Sequence, residues 1–133
     1  MHQSFWSHAT TLPADGHSPS RSRAFIKAHL ASHDLSALGE DVELVTSELA
    51  TNAVRHARTA FVLTLESDGD SVRVSVLDRG VGARVEESVA SQLSATDGRG
   101  LMIVDTLSAD WGVTRGTAST QVWASFDMPL NGV

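Results

Sequence analysis

The hydrophobic period of this chain changes at Arg58, and that change bounds the folds open to it. Upstream, Val42, Val45, Leu49, Ala53 and Ala57 recur at intervals of three and four, the spacing that lines one face of an α-helix. A helix over 38–58 is predicted. Downstream the period is two. Phe61-Val62-Leu63-Thr64-Leu65 reads as a strand and Asp68-Gly69-Asp70 as a tight hairpin turn. Val72, Val74 and Val76 then alternate with Arg73 and Ser75 as a second strand with one buried face. A long helix running straight into an antiparallel hairpin lacks the alternating crossovers of a doubly wound parallel sheet.

The flanking segments extend the pattern. Residues 5–12 alternate loosely, as an edge strand would, and Pro13-Ala14-Asp15-Gly16 breaks them with turn chemistry. Ser18 and Pro19 read as the N-cap and first position of a helix ending near His33, supported by Ala24, Ile26, Ala28, Leu30 and Ala31. Residues 80–98 hold three glycines and no sustained period, so they read as a loop with room for one short helix. A third helix is expected after Gly100, turning Leu101, Ile103, Val104 and Leu107 inward. Residues 111–114 and 120–128 read as closing strands joined by a turn at Gly116. The order β-α-α-β-β-loop-α-β-β predicts an α+β two-layer sandwich.

Composition narrows the function classes. A chain of 133 residues is the size of one domain, and 41% hydrophobic with 20% charged is a globular balance, not a disordered one. Residues 1–4 and 129–133 are expected to be loose termini. Sixteen acidic against ten basic residues, a formal charge of −6, argue against a broad nucleic-acid footprint. The absence of cysteine excludes disulfides, thiolate metal sites and cysteine nucleophiles. No apolar run approaches a membrane span, and the first residues have neither a charged nor an apolar leader region. The expectation is a small acidic cytoplasmic domain with no nucleic-acid or membrane partner. Trp6, Trp111 and Trp123 read as packing residues, and Arg84 and Arg115 as solvated ones.

Three clusters carry chemistry. Glu48, Asn52 and His56 follow at intervals of four on the long helix, one stripe beside its apolar face. A carboxylate and an amide oxygen at a semi-buried edge suit a hard cation such as Mg²⁺, and the carboxylate can serve as a general base. A solvated helix face has the same pattern. Asp78, in Asp78-Arg-Gly80-Val-Gly82, shares parity with Val72, Val74 and Val76 and so points toward their buried side. An inward carboxylate is costly without donors, and a purine amine is one such donor. A strand-ending turn capped by its own aspartate is the competing account. Asp97-Gly98-Arg99-Gly100-Leu101 opens a helix, where backbone amides attract phosphate and Arg99 adds a positive charge. Asp97 as a plain N-cap explains the same residues.

In order and spacing, these three clusters resemble the N, G1 and G2 boxes of the GHKL ATPase superfamily. The stretch Glu48-Leu-Ala-Thr-Asn52-Ala-Val-Arg-His56-Ala is most similar to anti-sigma-factor serine kinases, and 98–112 resembles stand-alone ATP-binding regulators of actinobacteria. The resemblance covers about residues 5–126. It implies the Bergerat sandwich, a mixed and mostly antiparallel sheet with helices on one face. It implies ATP and Mg²⁺ as cofactors, Asn52 as the Mg²⁺ ligand, and Glu48 as the base for a serine or threonine hydroxyl. Asp78 would accept from the adenine amine, with Gly80 and Gly82 shaping the base pocket. Gly98, Arg99, Gly100 and Leu101 would border the phosphates, residues 83–97 would form the ATP lid, and His56 would be structural. A sigma factor and a STAS-type antagonist are the implied partners, with a homodimer as a further expectation. Where many relatives carry Lys-Thr before the final strand's Val-Trp, this chain has Thr120-Gln121. A nucleotide-gated binding module without phosphotransfer is the alternative reading. A detached histidine-kinase domain fits less well, because no phosphoacceptor hairpin precedes the ATP-binding region and the N-terminal histidines sit in loop-like sequence.

Overall fold

Strand β1 (Trp6–Leu12) leads into helix α1 (Ser18–Ser32), followed by a 3-10 turn (Ser36–Leu38), helix α2 (Gly39–Asn52) and a π turn (Ala53–Ala57). The hairpin β2 (Phe61–Ser67) and β3 (Ser71–Asp78) comes next, then α3 (Arg99–Leu107), β4 (Asp110–Arg115) and β5 (Thr120–Asp127). This computed structural model describes residues 5–79 and 99–129. The expected lid at 83–97, with Gly80, Gly82, Arg84, Asp97 and Gly98, lies outside the described residues.

One five-stranded sheet has the order β1-β2-β3-β5-β4, and every described ladder is antiparallel. Within the described residues the ladders are thus all antiparallel, where the resemblance implies a mixed, mostly antiparallel sheet. The expected α+β two-layer architecture stands: the three described α-helices cover the same face. Val72, Val74 and Val76 of β3 meet Leu63 and Leu65 of β2 and Ala124 and Phe126 of β5 on that face, beneath Ile26, Leu30, Val42, Val45, Leu49 and Val104. The Asp68 carboxylate builds the β2–β3 turn by accepting from the Asp70 and Ser71 amides, each at 2.9 Å. Those two bonds hold its carboxyl below the usual carboxylate range. Gly69 takes φ 93° between them, a conformation that costs a residue without Cβ nothing.

Helix α1 departs from its expected design. Ser18 lies inside the helix, where its hydroxyl donates back to the Pro13 carbonyl. The buried stripe is Ser18, Ser22, Ile26 and Leu30, while Ala24, Ala28 and Ala31 are exposed. Alanine favours helix from any face, so its presence never located the core side. The Ser22 and Thr46 hydroxyls are buried and, among the described residues, have no hydrogen-bond partner. Thr46→Val keeps the shape and removes that desolvated hydroxyl, so it is expected to raise unfolding stability by about 1 kcal/mol. Urea denaturation measures it, and a lower midpoint would refute the account.

Trp6 and Trp111 pack against the core as expected, but Trp123 lies on the outer face of the sheet. Its indole covers Gly112, where an added Cβ would come within 2.8 Å of the ring. The Arg73 guanidinium lies over the indole at 4.0 Å. Gly112→Ala must push the indole aside and loosen that cation–π contact, which is expected to cost about 1 kcal/mol, the low end for overpacking. Thermal unfolding reads the loss, and Arg73→Ala should reduce it.

Candidate nucleotide site

The site is built where α2 ends over the central strand. β3 has partners on both edges, so its last residue, Asp78, is held from β2 by Phe61 and from β5 by Thr120. The parity argument holds: Asp78 is only 7% exposed. Thr120, directly across the ladder, is 3% exposed, and side chains so paired stand about 5 Å apart at Cβ. A carboxylate and a hydroxyl thus share the floor at one end of the inner face. The sequence had marked Thr120 only as a departure from family habit. Its placement opposite Asp78 depends on the β3–β5 register, which joins residues about forty positions apart.

Helix α2 supplies the wall. Arg23 of α1 donates from Nη1 to Ser47 Oγ at 2.9 Å, which fixes the flank of α2 that α1 occupies. At about 100° per residue, Glu48 and Asn52 fall on the opposite flank, the side left for α3, which also packs on α2. Both are half-buried, and one turn apart on a helix their Cβ atoms are about 6 Å from each other. After Asn52 the winding widens to a π turn, closed by the Arg58 amide donating to the Ala53 carbonyl at 3.3 Å. Each residue then advances by less than 100°, so four residues make just under one turn and His56 stays near the Glu48–Asn52 flank. This turn packs against β3, and the Arg79 amide donates to Thr59 Oγ1 at 3.3 Å. The two contacts bring the Asn52 end of α2 to the Asp78 end of β3.

Helix α3 begins at Arg99, two residues earlier than expected. The Leu101 side chain belongs to the core. What it can offer a phosphate is therefore its backbone N–H in the first helical turn. The described elements thus place Glu48 and Asn52 on one flank of α2, and Asp78 paired with Thr120 at the end of the strand against which the turn after α2 packs. A polar cleft of about 420 Å³ lined by Phe5, Arg73 and Trp123 lies elsewhere. Arg73 is five residues from Asp78, roughly 16 Å along β3, and faces the other side of the sheet.

The donor set fits a nucleotide with its cation. Mg²⁺ on a nucleotide takes most of its ligands from phosphate and water, so one amide oxygen from Asn52 is a sufficient protein contribution. A buried carboxylate at a strand end can receive an exocyclic amine. No helix of the described residues is long and apolar enough to cross a membrane.

Residues 12–126 match the model of the histidine kinase-like ATPase domain. The chain belongs to that family, within the GHKL superfamily. Among solved structures it is similar to the RsbU and RsbW domains of Rv1364c from Mycobacterium tuberculosis, with a TM-score of 0.67 and 22% sequence identity. That likeness covers 92% of this chain and 32% of the other, so this chain spans about a third of it. No curated protein matches.

Proposed function

We propose that this chain is an ATP-dependent protein serine/threonine kinase of the anti-sigma-factor type. It binds a sigma factor and phosphorylates a STAS-domain antagonist in the cytoplasm. The observation that carries the reading is Glu48 one helical turn before Asn52, both half-buried on one flank of α2. A module that only bound nucleotide would need Asn52 and Asp78 and would have no use for the carboxylate. The likeness of 48–57 to anti-sigma-factor serine kinases supports the partner assignment, as does the likeness to a structure that includes an RsbW domain.

In this mechanism Asp78 accepts from the adenine amine and sets the depth of the base. Gly80 and Gly82 let the backbone pass close to the ring. Asn52 Oδ1 would hold Mg²⁺, which would supply charge neutralisation at the phosphates. The backbone N–H groups at the α3 start, with Arg99, border the phosphates between Gly98, Gly100 and Leu101. Glu48 receives the proton of the substrate hydroxyl as its oxygen bonds to the γ-phosphorus and the bond to the β-phosphate oxygen breaks, releasing ADP. The contribution of the protein is positioning and charge neutralisation, as in phosphoryl transfer generally.

The test is incubation with γ-labelled ATP, Mg²⁺ and STAS-domain proteins from the same cells, beside a pull-down with and without Mg-ATP. Label on a serine or threonine of the STAS protein, and a sigma factor retained with nucleotide, are expected. Bound ATP with no phosphoprotein would instead leave the nucleotide-gated binding module.

A further inference from the structure

Three of the six histidines of the chain meet at the far edge of the sheet. His8 stands in β1, within the edge strand expected over residues 5–12, on the same side as Trp6 and Leu12. On α1, Phe25, His29 and His33 follow at intervals of four, where one helical stripe places them. The Nε2 atoms of His8 and His33 are 2.9 Å apart. His8 and His29 stack with ring centroids 4.0 Å apart. The Trp6 indole lies flat on His33 at 3.8 Å and 5°, and Phe25 meets His29 edge-on at 4.5 Å.

Two imidazoles facing each other through Nε2 share one proton, because one ring donates and the other must be unprotonated there to accept. Protonating the donor ring at Nδ1 leaves that bond intact. Protonating the acceptor at Nε2 sets N–H against N–H and breaks it. The indole face accommodates one cation on His33, but a second or third imidazolium within this space meets only repulsion. His29 offers its π face to His8, and among the described residues no group of three histidines or carboxylates could hold a metal ion. The Nε2 contact is therefore a hydrogen bond that protons control.

Few neighbouring charges compensate. From β2, Leu65 stands opposite His8 and Ser67 opposite Trp6, both neutral, while Glu66 pairs with Ser7 on the outer face. On α1, Arg21 is exposed one turn before Phe25, and Lys27 is exposed on the other side of the helix. The 3-10 turn Ser36–Leu38 carries no charge. Burial first, then the neighbouring His8 and His33, pushes His29 below the ordinary imidazole value. Burial and His8 do the same to His33, against an upward pull from Asp34.

We propose that His8, His29 and His33 form a proton-operated latch, fastening the edge strand β1 to the C-terminal end of α1 at neutral pH and releasing it in mild acid. Histidines of an opened chain titrate near 6.5, so below that value the open state binds more protons than the closed one. The latch contributes fully above about pH 6.5 and weakens as pH falls through that value toward the lowered values of His29 and His33 in the closed state. Release bares the hydrogen-bonding edge of β2 and loosens α1, which packs on the helix bearing Glu48.

Amide hydrogen exchange of the full chain, corrected for intrinsic rates, at about pH 7.5 and about pH 5 tests this. Protection of the β1 amides is expected to be lost at the lower pH relative to that of the β4–β5 ladder. The double variant His8→Gln, His33→Gln should abolish the difference. Should that variant fail to fold, the imidazole Cε1 protons of the unaltered protein decide. His29 and His33 titrating with mutual coupling and midpoints below 6.5 support the latch. Independent titration at the ordinary value, or protection lost evenly across the sheet, overturns it.

Discussion

Glu48→Gln is expected to lower the rate of phosphotransfer by about 10²–10⁴-fold, the range for losing a positioned general base. The substitution keeps side-chain length and helix propensity, so α2 should keep its winding and Asn52 its place. ATP affinity is therefore expected to change by less than about threefold, under 1 kcal/mol, because the carboxylate contributes to the reacting hydroxyl and not to the nucleotide. The split between rate and affinity is the informative part. Calorimetric titration of ATP and a single-turnover transfer assay on the same preparation separate the two, and a circular-dichroism melt controls for folding. Unchanged transfer by the variant would remove Glu48 as the base. A parallel loss of ATP binding would instead place Glu48 among the groups that organise the cation, next to Asn52.

Local patterns made much of this architecture legible. The period change at Arg58 placed the α2-to-β2 junction correctly, and the parity of Val72, Val74 and Val76 placed Asp78 inside. Glu48 and Asn52 share a flank because four residues make a little over one helical turn, which needs no tertiary information. What stayed hidden depends on distant parts of the chain. Thr120 faces Asp78 only through the β3–β5 pairing, and strand adjacency across a helix and a hairpin is not written in either segment. The π turn at 53–57 has no composition signal of its own, so the sequence read the helix as running unbroken to Arg58. In α1 the buried positions are partly serine, and the alanines that suggested a core face are exposed. The histidine cluster was invisible for the same reason: His29 and His33 are a helical pair by spacing, but only the packing of α1 on β1 brings His8 to them.

Asp78→Asn is expected to weaken ATP binding by about 1–3 kcal/mol, roughly 5–150-fold in the dissociation constant. The amide retains one acceptor oxygen but loses the negative charge that strengthens a bond from the adenine amine, and it brings two N–H donors into a buried corner where they need acceptors. Thr120 extends the argument, since it stands opposite Asp78 and is equally enclosed. Thr120→Val alone should cost less, about 1 kcal/mol for a neutral hydrogen bond. If the hydroxyl and the carboxylate grip the base as one unit, the double variant will lose less than the sum of the two single losses, with a coupling of at least about 0.5 kcal/mol. Calorimetric titration of all four proteins measures that cycle, with thermal melts to confirm that the sheet is intact. Strict additivity would mean that Thr120 acts on the fold and not on the nucleotide. An unchanged dissociation constant in Asp78→Asn would move the base out of this corner altogether, because no neutral amide could replace a buried carboxylate at such a contact without loss.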